Sequence, residues 1–183
     1  MKLKKSAAIS SGIFALLVMA AFILLPVARE KARRISCSSN LKSVGLSLMQ
    51  YTMDNGNEFP DKDGAAGWEL LLSNDYLTDY KIYTCPSSLT LSEKKGFLCE
   101  ASISYVYFGG FSAKDTPGIP LAFDKLGNHK NFVNILFVDG HVEGIPGNFN
   151  SYSDVINMLK KRYGYSAEDV KRLDEKAARL DGK

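Results

Sequence analysis

A chain of 183 residues is long enough for one medium domain, or for a small domain with an anchor. With 45% hydrophobic and 23% charged residues it is neither a disordered tail nor a protein built wholly of membrane spans. Lys2, Lys4 and Lys5 account for three of the 23 basic residues and no acid precedes Glu30, so the body from Arg29 onward balances 20 basic against 20 acidic residues. A neutral body excludes the concentrated basic face that nucleic-acid binding needs.

Residues 7–28 carry no charge, and residues 13–25 are all apolar. As a helix this stretch spans roughly 33 Å, enough for a bilayer core. A cleaved signal peptide has a similar basic start and apolar middle. The uncharged segment is long, however, and its small-residue exit at Val27-Ala28 would put Pro26 at the −3 position, so an uncleaved anchor is the expectation. Charge does not orient it, because Lys2, Lys4 and Lys5 face Arg29, Lys31, Arg33 and Arg34 across the span. Beyond the span, Cys37, Leu41, Val44, Leu48 and Tyr51 recur every three or four residues, the stripe of a helix buried along one face. Asn55-Gly56 and Pro60 then end it.

Residues 68–79 predict a short helix, and residues 82–85 a short strand closed by Pro86. The β-branched and aromatic run 103–108 predicts a strand ended by Gly109-Gly110, and 120–123 an edge strand that tolerates its proline. Residues 133–145 read as a hairpin turning at Asp139-Gly140. A two-residue turn there sets Phe137 opposite Val142 and Val138 opposite His141. Val133, Ile135, Phe137 and Val142 then form the core face, and His141 and Glu143 share the other with Asn134, Leu136 and Val138. From Ser151 the pattern is helical again, with a stripe at Tyr152, Val155, Ile156, Leu159 and Tyr163. Ser166, with Asp169 at the third position, starts a second helix striped by Val170, Leu173, Ala177 and Leu180. These tail helices either dock on the sheet or offer a partner surface.

Two stretches resemble a known family. Residues 28–51, AREKARRISCSSNLKSVGLSLMQY, are similar to the segment after the membrane helix in prepilin-type, pseudopilin-like proteins. Residues 129–140, HKNFVNILFVDG, resemble the H-X9-DG signature of the C-terminal domain in a large bacterial group of such proteins. Phe59-Pro60, Cys85-Pro86-Ser87, Ser104-Tyr105 and Pro120-Leu121 fall between them in the group's usual order. The resemblance covers about residues 13–145. It implies an α+β, type IV pilin-like fold in which a long N-terminal transmembrane helix continues into a helix packed on a small antiparallel sheet. The organisation expected is a basic segment and span at 1–28, the soluble half of the helix at 29–57, the sheet domain at 58–148 and a helical tail at 149–183.

The resemblance also implies a non-enzymatic subunit of a type II secretion or type IV pilus-like assembly. It would sit single-pass in the bacterial cytoplasmic membrane with its body outside, its partners being the membrane, other pilin-like subunits or secretion-machinery proteins. Ala7, Ala8, Gly12, Ala15, Ala20 and Ala21 would let helices self-associate closely in lipid. Prepilins are cut after a glycine that Phe-Thr-Leu-Ile-Glu follows. Here Gly12, the possible processing site, precedes Ile13-Phe14-Ala15-Leu16-Leu17, so Leu17 replaces the glutamate. A monomeric anchored binding module that does not polymerise is therefore the alternative.

Outside the cytoplasm a Cys85–Cys99 disulfide is expected, worth roughly 3 kcal/mol. Cys37 is then a small core residue; the other reading makes all three buried thiols. Asp124, His129, Asp139 and His141, with Glu143 beside them, are weak candidates for a structural calcium or zinc ion. No cofactor is expected, because Asp139 already has work in the turn and His129 in holding its loop. A Cys85–His129 nucleophile pair has no activating context in the sequence.

Overall fold

The computed structural model describes residues 2–87 and 97–182, and gives the backbone alone for residues 2–18, 20 and 21. It is an α+β arrangement of a long N-terminal helix, a small antiparallel sheet and further helices. Helix α1 (Lys2–Asp54) runs 53 residues straight through Pro26. Its C-terminal half buries the predicted stripe: Cys37, Leu41, Val44 and Leu48 are wholly covered. Gly56 and Asn57, both at positive φ, turn the chain where Asn55-Gly56 predicts. Among the described residues no helix is long and apolar enough to cross a membrane. The span expected at residues 7–28 falls mostly, and Gly12 entirely, outside the residues whose side chains are described.

The sheet is an antiparallel meander in the order β1 (Tyr105–Tyr107), β2 (Pro120–Asp124), β3 (Phe132–Phe137), β4 (Val142–Pro146). Both of its faces are covered. On one, Leu136 lies against Gly45 of α1, and Tyr107 against Trp68 of α2 (Gly64–Ser73) at 4.5 Å between ring centres. On the other, Phe123 meets Tyr152 of α3 (Tyr152–Arg162), and Phe137 meets Tyr163 just beyond it. Two-sided burial explains why β2 is buried along its whole length and why β3 does not alternate polar and apolar residues.

Three expectations are corrected. Residues 82–85 form no strand; Tyr80–Tyr83 make a 3-10 turn, started by the Asp79 carboxylate accepting the Lys81 N–H at 3.0 Å. The stretch from Pro120 is an inner strand, not an edge: Pro120 stands first in β2, where a missing N–H costs least. The hairpin is slipped by one residue, pairing Leu136 with Val142 and Ile135 with Glu143. The cause is a three-residue loop, Val138-Asp139-Gly140, in which Gly140 takes φ +83° and Phe137 pairs with His141. One residue of slip exchanges faces. His141 accordingly stacks on Phe137 at 4.3 Å, and Val142 moves to the Leu136 side.

The tail helices dock. Ser151 and Asp154 close a capping box on α3, and Ser166 caps α4 (Ala167–Leu180) by accepting the Asp169 N–H. Val155, Ile156, Leu159, Leu173 and Ala177 are all buried. The Asp181 carboxylate, at the end of α4, accepts the Tyr152 and Ser153 N–H groups that open α3, so each helix secures the other.

Candidate functional site

The expected metal quartet divides into two pairs. Asp139 and His141 contact each other in the hairpin loop, both largely exposed, where Asp139 also accepts the His141 N–H. Asp124 and His129 lie at the opposite end of β3, their side chains buried and 3.7 Å apart. A six-residue strand runs roughly 20 Å, so the two pairs cannot share an ion.

The buried pair belongs to a larger cluster at the junction of α1 and the sheet. Cys37 from α1 is disulfide-bonded to Cys85, which follows the 3-10 turn; Cys99 is the free thiol. The expected Cys85–Cys99 bond is thus replaced by one reaching 48 residues back along the chain. His129, from the loop between β2 and β3, turns Nε2 toward Cys85 Sγ at 3.4 Å and Nδ1 toward Glu30 Oε1 at 2.9 Å. Ser87 Oγ lies 3.4 Å from the same Nδ1. An ionised carboxylate only accepts, so the Glu30 contact assigns the ring proton to Nδ1 and leaves Nε2 facing the sulfur. His129 therefore holds its loop, and does so through a side chain of α1.

Arg34 fixes Glu30 from the next turn of the helix at 3.2 Å, reaches the Lys130 carbonyl at 2.8 Å, and lies over Phe132. Partial burial opposes ionisation of Glu30, but the His129 and Arg34 donors outweigh it and hold the carboxyl below its ordinary value. Asp124 differs. Burial pushes it up to about 6, against the lowering effect of the Asn134 donors and of His129. Its Oδ2 accepts two hydrogen bonds from Asn134, while the buried Oδ1 has no hydrogen-bond partner among the described residues.

One ligating atom from each of Cys37, Cys85, Asp124 and His129 falls within 4.8 Å of all the others, every residue buried. With the sulfurs joined, the cluster is a covalent and hydrogen-bonded clasp between helix and sheet. Cys85 offers no thiolate in this state, which removes the nucleophile from the Cys85–His129 pair. A cleft of about 1300 Å³, lined in part by Glu30, Arg34, Ile35 and Phe132, opens beside the clasp. A second of about 350 Å³ reaches His129 from the β2–β3 loop.

Sequence reasoning missed Glu30, Arg34 and the role of Cys37. A signal for them existed: the stripe Cys37-Leu41-Val44-Leu48 extends backwards at the same spacing through Arg34 and Glu30. Two charged residues in line with a buried face mark the place where that face meets polar partners.

Residues 26–70 match a family model described as a protein of unknown function (DUF1559). The match contains the first of the two prepilin-like stretches together with Glu30, Arg34 and Cys37, and it ends before Cys85, Asp124 and His129. No curated protein and no solved structure matches the chain.

Proposed function

We propose that this protein is a membrane-anchored, pilin-like structural subunit of a type II secretion or type IV pilus-like assembly, non-enzymatic, with its sheet domain outside the cytoplasmic membrane. One observation carries the reading. The C-terminal half of α1 is locked into the domain, while Met19, Phe22, Ile23, Leu24, Leu25 and Val27 lie exposed. Such a continuous apolar surface fits lipid or neighbouring helices, not water.

Three further features support it. On the soluble half of α1, Ile35, Leu46 and Met53 stand outward at 63%, 74% and 81% exposure. Their spacings of eleven and seven residues place them on one helical face, opposite the buried stripe, where a second copy's helix would lie. The Cys37–Cys85 disulfide suits an oxidising compartment outside the cytoplasm. The family match falls on the stretch that resembles prepilin-type proteins. Against polymerisation stands Leu17, in the place of the prepilin glutamate, and it favours the second reading: a fixed monomeric anchor carrying a binding module.

Intact mass and N-terminal sequencing of the protein extracted from its own membranes test the proposal. A chain starting at Ile13, together with disulfide-linked dimers from a Leu46→Cys variant in a Cys99→Ser background, supports assembly. A chain that retains Lys2 to Lys5 and gives no such dimers overturns assembly in favour of the fixed anchor.

A further inference from the structure

We propose that Cys37, Cys85, Asp124 and His129 form a redox-gated zinc site, closed as a disulfide in the oxidised protein and opened to Zn²⁺ when a dithiol reduces it. The donors are two sulfurs, one imidazole and one carboxylate, a set that zinc binds tetrahedrally at about 2.3 Å to sulfur and 2.0–2.2 Å to nitrogen and oxygen. Ligands at those radii stand about 3.3–3.8 Å from one another. His129 Nε2 already lies 3.4 Å from Cys85 Sγ and stands beside the Asp124 carboxylate, whose Oδ2 is 3.7 Å away and whose Oδ1 is the oxygen left to bind.

Two observations independent of the ligand set point to a cation. Asp124 Oδ1 is a buried carboxylate oxygen with no hydrogen-bond partner among the described residues, a costly arrangement that a metal bond would satisfy. The surrounding contacts are those that orient metal ligands. Glu30 accepts a hydrogen bond from His129 Nδ1–H and so presents Nε2, and Asn134 holds the other oxygen of Asp124 with two donors. A buried histidine kept only for packing needs neither.

The conversion balances. A dithiol transfers two electrons and two protons to the Cys37–Cys85 bond, giving two thiols and leaving itself as the disulfide. Zn²⁺ then displaces the two thiol protons to solvent and binds two thiolates, Nε2 and the Asp124 carboxylate. The four ligands come from α1, the segment after the 3-10 turn, β2 and the β2–β3 loop. Either state therefore clasps the long helix to the sheet: by a covalent bond where the surroundings oxidise, by a metal where they reduce.

The test uses the full chain in detergent micelles, reduced with a phosphine, supplied with Zn²⁺ or Co²⁺ and freed of excess ion. The reduced chain is expected to hold one equivalent of zinc, and the oxidised chain none. With cobalt it should show thiolate charge-transfer and tetrahedral d–d bands, and bound metal should restore the native emission of Trp68, which is fully buried. Asp124→Asn and His129→Gln should each weaken binding at least tenfold, and Glu30→Gln, which touches no metal, roughly 10–100-fold. Cys99→Ser should change nothing. Equal zinc in the oxidised and reduced chains overturns the proposal, as does metal held without native Trp68 emission. So does undiminished affinity in a folded Asp124→Asn chain.

Discussion

Asn134 gives two donors to a single oxygen of Asp124: its backbone N–H at 2.7 Å and its side-chain amide at 2.8 Å, both to Oδ2. The same amide also reaches the Arg34 carbonyl of α1 at 3.2 Å. One side chain thus ties β3 to β2 and the sheet to the long helix. Asn134→Ala keeps the backbone bond and removes the other two. A hydrogen bond to a buried charged group is worth about 1.5–3 kcal/mol, so the oxidised protein should lose about 2 kcal/mol. Urea unfolding followed by Trp68 fluorescence reads the change as a lower midpoint at unchanged slope; an unmoved midpoint would show that water replaces the amide without cost.

Gly67 gives a sign opposite to helix propensity. In an exposed helix, glycine to alanine gains about 1 kcal/mol. Here a Cβ would come within 2.4 Å of the Lys62 carbonyl oxygen and of the Tyr107 ring, because α2 lies tight on β1 where Trp68 Nε1 donates to the Tyr105 carbonyl. The helix would have to move off the strand. Overpacking of this kind costs about 1–3 kcal/mol and outweighs the propensity gain. Gly67→Ala should therefore lower the melting temperature. Gly164→Ala, with nothing within 4 Å of its Cβ, should leave it within about 2 °C.

How far these relations could be read from the chain depends on their range. The stripe Cys37-Leu41-Val44-Leu48 and the Ser151 and Ser166 helix starts are local patterns with fixed spacing, and the structure places them as read. The hairpin was legible in place but not in register, since Asp-Gly serves two-residue and three-residue loops alike and Gly140 chose the longer. The two-sided burial of the sheet was hidden because nothing local says that the tail helices return to cover Phe123 and Phe137. Of the site, Asp124 and His129 were picked out and Cys85 was set beside His129, but Glu30 and Cys37 were not joined to them. Cys37 and Glu30 come from 87 and 99 residues away from Asp124 and His129 respectively, and only the packing of α1 brings them there.

Cys99 is the thiol that reagents should find. It is only partly covered, and the Ser102 hydroxyl hydrogen-bonded beside it lowers its pKa below the ordinary 9.0 against the opposing effect of desolvation. Thiolate is the reactive form, so alkylation by iodoacetamide should reach half its limiting rate below pH 9.0. Ser102→Ala removes the stabilising donor and should move that midpoint upward. A midpoint that does not respond to Ser102 would assign the shift to the neighbouring backbone instead.

The disulfide separates two pairings that predict different peptides and different stabilities. A Cys85–Cys99 bond would close a short loop and leave α1 uncrosslinked. The Cys37–Cys85 bond closes a loop of 48 residues, removes more freedom from the unfolded chain and fastens the helix itself. Chain-entropy arithmetic gives about 4 kcal/mol for a loop of that length. Proteolysis without reduction should yield one peptide pair joined through Cys37 and Cys85, with Cys99 labelled by the alkylating agent. In the presence of a chelator, Cys37→Ser should cost most of the 4 kcal/mol, whereas Cys99→Ser should cost almost nothing. If Cys99→Ser were the damaging change, the link would run through Cys99, and Cys37 would be the buried thiol that its place in the apolar stripe first suggests.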